Sequence, residues 1–155
     1  MLHAIVTSDW HLDSLANHFP NSVQMQLEVI DRIYQYAVQN GIKYVIIPGD
    51  ISDKDEMPDD TKRSLLQHFL RYEGVVESIY IGGNHDWRDT TSTSMDLINT
   101  LCEWKFLKSL KVYLTPEQFE LEGVLVNALP YPATESIKSD RPCLNLCHTE
   151  TVGAI

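Results

Sequence analysis

Three short clusters in this sequence bring carboxylate, imidazole and amide oxygen together: Asp9-Trp10-His11, Gly49-Asp50-Ile51-Ser52-Asp53 and Gly83-Asn84-His85-Asp86, with a further imidazole at His148. Such side chains are ligands for hard and borderline divalent cations. No thiolate stands among them, which points to Mn, Fe, Zn or Mg rather than to a cysteine-type zinc site. One carboxylate has two oxygens and can bridge two ions about 3.5–4 Å apart. Asp50, in the central cluster, is the natural bridge. Singly, each residue has a plainer reading. Asp9 suits a helix cap or Asx turn, Asp50 and Asn84 suit turns beside glycine, and a lone histidine is usually structural. The argument for a metal site rests on their joint placement.

That placement follows from the elements. Leu2 to Val6, Tyr44 to Ile47 and Val75 to Ile81 read as buried strands, and each runs directly into one of the three clusters. Between them, Val23, Leu27, Ile30, Tyr34 and Ala37 recur at helical spacing, with Asn21 or Ser22 as N-cap and Gly41 past the end. A second helix capped by Asp59 or Asp60 carries Leu65, Leu66, Phe69 and Leu70, and a third runs from Ser94 to about Trp104. This β-α-β-α-β-α order predicts right-handed crossovers, a largely parallel sheet and ligands at the strand C-terminal ends. From Lys111 the rhythm changes to short strands, Lys111–Leu114, Gln118–Leu121 and Val124–Ala128, with a tight turn at Glu122-Gly123. Cys143 to Cys147 is a last apolar strand, and it meets His148.

The 155 residues suffice for one ordinary domain, and a composition 43% apolar and 22% charged excludes disordered, collagenous and disulfide-scaffold classes. The net charge of −10 opposes binding a phosphate backbone by counterion release alone, so a nucleic-acid role needs bound cations or a basic partner. Cys102, Cys143 and Cys147 contain no CxxC pair and are expected as reduced, buried thiols. No window approaches the ~18 apolar residues of a membrane span, and no basic n-region precedes the first apolar run, so the chain is expected in the cytoplasm.

The motifs Asp9-x-His11, Gly49-Asp50-x-x-Asp53, Gly83-Asn84-His85-Asp86 and His148 resemble those of the calcineurin-like metallophosphoesterases. Within that group, Ser8-Asp9-Trp10-His11-Leu12, Leu129-Pro130-Tyr131-Pro132 and His148 to Ala154 resemble the SbcD-type nucleases, the phosphodiesterase subunits of SbcC/SbcD break-repair complexes. The resemblance implies an α/β fold of mixed sheets between helical layers (α-β-β-α), with the second sheet incomplete in this chain. It implies two divalent cations, manganese foremost, one held by Asp9, His11 and Asp50, the other by Asp50, Asn84 and His148. His85 would protonate the leaving oxygen, and Asp53 would orient it. The implied partners are DNA, an SMC-like or ABC-type ATPase of the SbcC kind and, over an apolar edge near Cys143 to Cys147, either another chain or a second copy of this one in a homodimer.

One family motif, a final GHxH, has no counterpart here, since Gly153-Ala154-Ile155 follow only shortly after His148. The expectation is an N-terminal part of a nuclease domain in which each cation lacks one ligand. His3, His18 and His68 match no motif and are read as structural or surface residues, although His18 lies in the Asp13 to Pro20 loop that in SbcD-like proteins borders the DNA path. Trp87-Arg88 suits either stacking on a nucleic-acid end or packing against the following helix. Two other functions remain open: a small-substrate phosphodiesterase or phosphatase, and a non-catalytic interaction module.

Overall fold

The computed structural model describes residues 2–16, 18–54, 56–133 and 137–148. Its element order is β1 (Ala4–Val6), α1 (Ser22–Gln39), β2 (Tyr44–Pro48), α2 (Asp59–Arg71), β3 (Glu77–Ile81), α3 (Asp96–Glu103), β4 (Leu110–Tyr113), β5 (Glu117–Leu121), β6 (Val124–Leu129) and β7 (Cys143–Cys147). Strands β1 to β4 form one parallel sheet in chain order, and β5, β6 and β7 form a second. In the second sheet β5 and β6 are antiparallel, whereas β6 and β7 are parallel.

The period of two along a strand sets the layering. Val45 and Ile47 of β2 join the core with Leu27, Ile30 and Tyr34 of α1, Leu65 and Phe69 of α2 and Ile98 of α3. Tyr44 and Ile46 point the other way and meet Leu121, Val126, Ala128 and Leu146 of the second sheet. The described residues therefore stack as helices, parallel sheet and mixed sheet, and the first sheet reads as a continuous apolar run because both of its faces are covered. Across the second sheet, Gln118, Asn127 and Asn145 form an amide row, with Gln118 Nε2 donating to Asn127 Oδ1 and Asn127 Nδ2 donating to Asn145 Oδ1, each at 2.8 Å.

Several expectations are corrected. The change of rhythm groups Lys111–Leu114 with the later strands, but the strand at Leu110–Tyr113 is the fourth of the parallel sheet, because its register against β3 continues the crossover pattern. Asn21 occupies the N-cap of α1 without a side-chain cap bond, and Pro58 precedes α2, leaving Asp59 and Asp60 in the first turn, where their charge favours the helix dipole. The third helix begins at Asp96 rather than Ser94. There Asp96 Oδ1 accepts both the main-chain N–H and the hydroxyl of Thr93, at 3.1 and 2.9 Å. The cysteines are not buried: Cys147 is exposed and Cys102 and Cys143 are half-buried. The Glu122-Gly123 turn stands as read, with both residues at positive φ, 47° and 83°, as a two-residue type I′ hairpin needs. No helix among the described residues is long and apolar enough to cross a membrane.

Candidate metal centre

The parallel sheet delivers the first three clusters to one edge. Beyond β1 the chain keeps pairing with the chain beyond β2: Asp9 N–H donates to Gly49 O at 3.2 Å, His11 N–H to Asp50 O at 3.0 Å and Leu12 N–H to Ile51 O at 3.0 Å. Gln26 of α1 reaches back, its Nε2 donating to the carbonyls of Trp10 and His11 at 3.2 and 3.0 Å. Asp9, His11 and Asp50 all hold positive φ, at 56°, 42° and 54°. Asp and His tolerate this left-handed region better than most residues, and strain of this kind persists only where surroundings fix it. The fixing here comes from those inter-loop bonds.

Two glycines are required by close approach. A Cβ on Gly83 would collide with the Asp50 main-chain nitrogen and carboxylate, and one on Gly49, itself at φ 96°, would collide with the His148 imidazole. The glycine of each motif thus makes room for a ligand delivered by another strand.

Asp50 is buried at 3% exposure, and its carboxylate is the shared neighbour of the site. Its Oδ2 lies 3.7 Å from His11 Nε2 and 3.2 Å from His148 Nε2, while its Oδ1 accepts the His85 main-chain N–H at 3.1 Å. His148 Nε2 also lies 2.8 Å from Asn84 Oδ1, and His11 Nε2 lies 3.9 Å from Asp9 Oδ1. The Ser8 hydroxyl donates to Asp9 Oδ2. Ligand atoms of Asp9, Asp50 and His148 fall within 4.8 Å of one another, as do those of His11, Asp53 and His85. Two donors bound to one ion at about 2.0–2.2 Å stand roughly 3–4 Å apart, so the donor spacing and its N/O chemistry fit a divalent cation.

His85 sits exposed above this group, its ring edge-on to His11 with centroids 5.0 Å apart. Its Nδ1 is 3.0 Å from the main-chain carbonyl of Asp53, whose carboxylate instead lies 3.3 Å from His11 Nδ1. Asp53 therefore meets His85 through its backbone and His11 through its side chain. That carbonyl, helped by the charges of Asp50, Asp53 and Asp86 against some desolvation, raises the His85 pKa above the ordinary imidazole value.

Two organising carboxylates have no role in the motif reading: Asp86, which closes the third motif, and Asp13, which lies outside the motifs. Asp86 is fully buried and ties the second loop to the third: Oδ2 accepts N–H groups of Asp50 at 2.9 Å and Gly83 at 3.0 Å, and Oδ1 accepts Ser52 N–H at 3.0 Å. Burial pushes its carboxyl pKa up, and the bonds from Ser52 and Gly83 oppose the rise. Asp13, also fully buried, accepts the Asp53 N–H at 2.9 Å. An acidic residue two positions after His11 and another directly after His85 were visible in the sequence, but nothing there said that they bond between loops. His3 and His18 are exposed. The Thr149 to Ala154 run lies outside the described residues.

The sequence matches the calcineurin-like phosphoesterase family over residues 2–139. The chain belongs to that family. No curated protein matches it. Among solved structures, a protein of unknown function, AQ665 from Aquifex aeolicus, is similar at 15% identity with a TM-score of 0.34, over 80% of this chain and 57% of that one. The chain thus spans little more than half the length of that solved structure.

Proposed function

We propose that this phosphoesterase is the nuclease subunit of an SbcCD-like complex, hydrolysing DNA phosphodiesters with two divalent cations, Mn²⁺ foremost, together with an SMC-like ATPase. The observation that carries the two-cation reading is the position of Asp50 Oδ2, within 3.7 Å of His11 Nε2 on one side and 3.2 Å of His148 Nε2 on the other. Asp9, His11 and Asp50 would hold one cation, and Asp50, Asn84 and His148 the other. Bound there, the cations supply charge for the phosphoryl oxygens and acidify a water for in-line attack.

The chain's own groups do the rest. Asp86 fixes the Asp50 and Gly83 backbones, so the carboxylate presents one geometry. His85, held by the Asp53 carbonyl and favoured in its protonated form, reaches out over the site to protonate the departing oxygen. Asp9, Asp50, Asp53 and Asp86 make the site repel a phosphodiester until cations reverse the local field. These residues supply three ligands per cation, counting Asp50 twice. We propose that a segment bearing the family's GHxH, joined to the chain or added separately, completes the coordination.

The test compares Mn²⁺-dependent cleavage of a DNA duplex end, of bis(p-nitrophenyl) phosphate and of a mononucleotide, with Asp9→Asn as control and with and without a GHxH-bearing segment. DNA cleavage that needs Mn²⁺ and Asp9 and rises with the added segment supports the reading. Turnover of the mononucleotide alone supports a small-substrate phosphatase instead, and cleavage indifferent to Asp9→Asn removes the two-cation assignment.

A further inference from the structure

Beside the metal centre lies a cleft of about 420 Å³ lined by Asn84, Trp87, Arg88, Asp89, Thr90, Tyr131 and Pro132. Its size falls in the usual range of small-ligand sites, about 300–1,000 Å³. Both aromatic walls are anchored to one residue, Gly82, at the end of β3. The Tyr131 main-chain N–H donates to Gly82 O at 2.9 Å, and the Trp87 Nε1 lies 3.5 Å from where a Cβ on Gly82 would sit. Trp87 is also held by a bridge to Thr93. Neither ring stacks on another aromatic among the described residues, and neither belongs to the two core clusters.

Of the polar groups at the cleft, the Asp89 carboxylate is committed, whereas the Trp87 indole N–H is buried without an acceptor among the described residues. Both carboxylate oxygens of Asp89 accept from its own turn, Oδ1 from the Thr91 and Ser92 N–H groups at 2.7 and 3.0 Å and Oδ2 from the Ser92 hydroxyl at 2.8 Å. Among the described residues Arg88 pairs with Glu56, at 2.9 Å, and both side chains are well exposed. An exposed pair of this kind is worth little and exchanges readily for a phosphate. Asn84 joins the cleft to the metal centre, since its Oδ1 is the atom facing His148.

We propose that this cleft is a nucleobase subsite: the base flanking the scissile phosphate enters between Trp87 and Tyr131, and Arg88 meets the next phosphate along. An aromatic slot with few free polar groups takes any base by its π-face and reads no sequence. The subsite rests on the phosphodiesterase reading above, and it separates a nucleotide substrate from a phosphoester that has no planar group.

The test follows indole N–H resonances of the three tryptophans in the presence of Mg²⁺, with the Trp87 signal assigned from Trp87→Phe. The probes are a dithymidine phosphorothioate and the same diester lacking both bases. The expected result is a shift of the Trp87 signal by the dithymidine probe alone, and binding at least about fivefold tighter than the abasic diester, the lower end for one stacked base. Tyr131→Ala should erase that difference, whereas Trp87→Phe, which keeps a stacking face, should retain most of it. Equal affinity for the two probes, or an unmoved Trp87 signal, overturns the subsite and leaves the metal centre standing. Failure of both probes to bind also overturns it, and bis(p-nitrophenyl) phosphate turnover then shows whether the metal-centre reading falls as well.

Discussion

His148 Nδ1 lies 2.9 Å from the main-chain carbonyl of Pro48, one hundred residues earlier in the chain. A carbonyl only accepts, so Nδ1 carries the proton, and in the neutral ring Nε2 presents a lone pair. That lone pair faces Asn84 Oδ1 at 2.8 Å and Asp50 Oδ2 at 3.2 Å. Three acceptors converging at this range repel one another unless a cation or a proton stands between them. Donation of the far ring nitrogen to a carbonyl is also the usual way a metal-binding histidine is oriented. Mn²⁺ should therefore raise the melting temperature of the chain, by the equivalent of about 2.7 kcal/mol at one hundred times its dissociation constant, and chelation should reverse it. His148→Ala should lose most of that gain in a thermal-shift titration.

Asp50→Asn keeps the shape of the side chain and removes the shared charge. Calorimetry should show both Mn²⁺ sites weakened together by about 100-fold or more, beyond what loss of an orienting partner costs. One site surviving at full affinity would refute the bridging role of Asp50.

His85→Asn removes the exposed imidazole without touching the proposed ligands. Hydrolysis should fall by roughly 10²–10⁴-fold while Mn²⁺ affinity stays within a factor of two or so. A matching loss of affinity would place His85 among the ligands.

Asp86→Ala leaves the N–H groups of Asp50, Ser52 and Gly83 buried without their acceptor. At about 1–3 kcal/mol for each orphaned donor, the variant should be markedly destabilised in urea. Asp86→Asn, which retains an acceptor oxygen, should fold and bind Mn²⁺ about 10- to 100-fold more weakly. Unchanged affinity in Asp86→Asn would confine the residue to a structural role.

His68 supplies the pH dependence. It is packed among Tyr34, Phe69 and Tyr72 with Trp10 at its edge, and burial lowers its pKa to about 4 despite Asp31 nearby, with Arg71 adding to the fall. In the unfolded chain it titrates near 6.5. Below that value the unfolded state binds the proton first, so stability falls as pH drops from about 6.5 to about 4 and then levels off for this group. His68→Phe should flatten that part of a pH series of urea midpoints. An unaltered slope would assign the acid sensitivity to other groups.

Much of this arrangement was legible in the sequence because it is local. Strands at Tyr44–Ile47 and Cys143–Cys147, helices on the Val23–Ala37 and Leu65–Leu70 patterns and the Glu122-Gly123 turn follow from periodicity and turn chemistry acting over a few residues. The alternation of strands and helices even dictated that Asp9, Asp50 and Asn84 share an edge, since parallel strands place all their C-terminal ends together. Tertiary structure decided what depends on register and approach. Placing Leu110–Tyr113 in the first sheet depends on its pairing with β3, which no local pattern encodes. Asp13 looks like an ordinary polar loop residue and Asp86 closes a motif without a stated role, until the fold buries both against the N–H groups of other loops. Asp53 meets His85 through its carbonyl because of main-chain direction, which residue type does not specify. The cleft between Trp87 and Tyr131 exists because two segments more than forty residues apart both meet the chain at Gly82, just past β3, an approach that only the fold brings about.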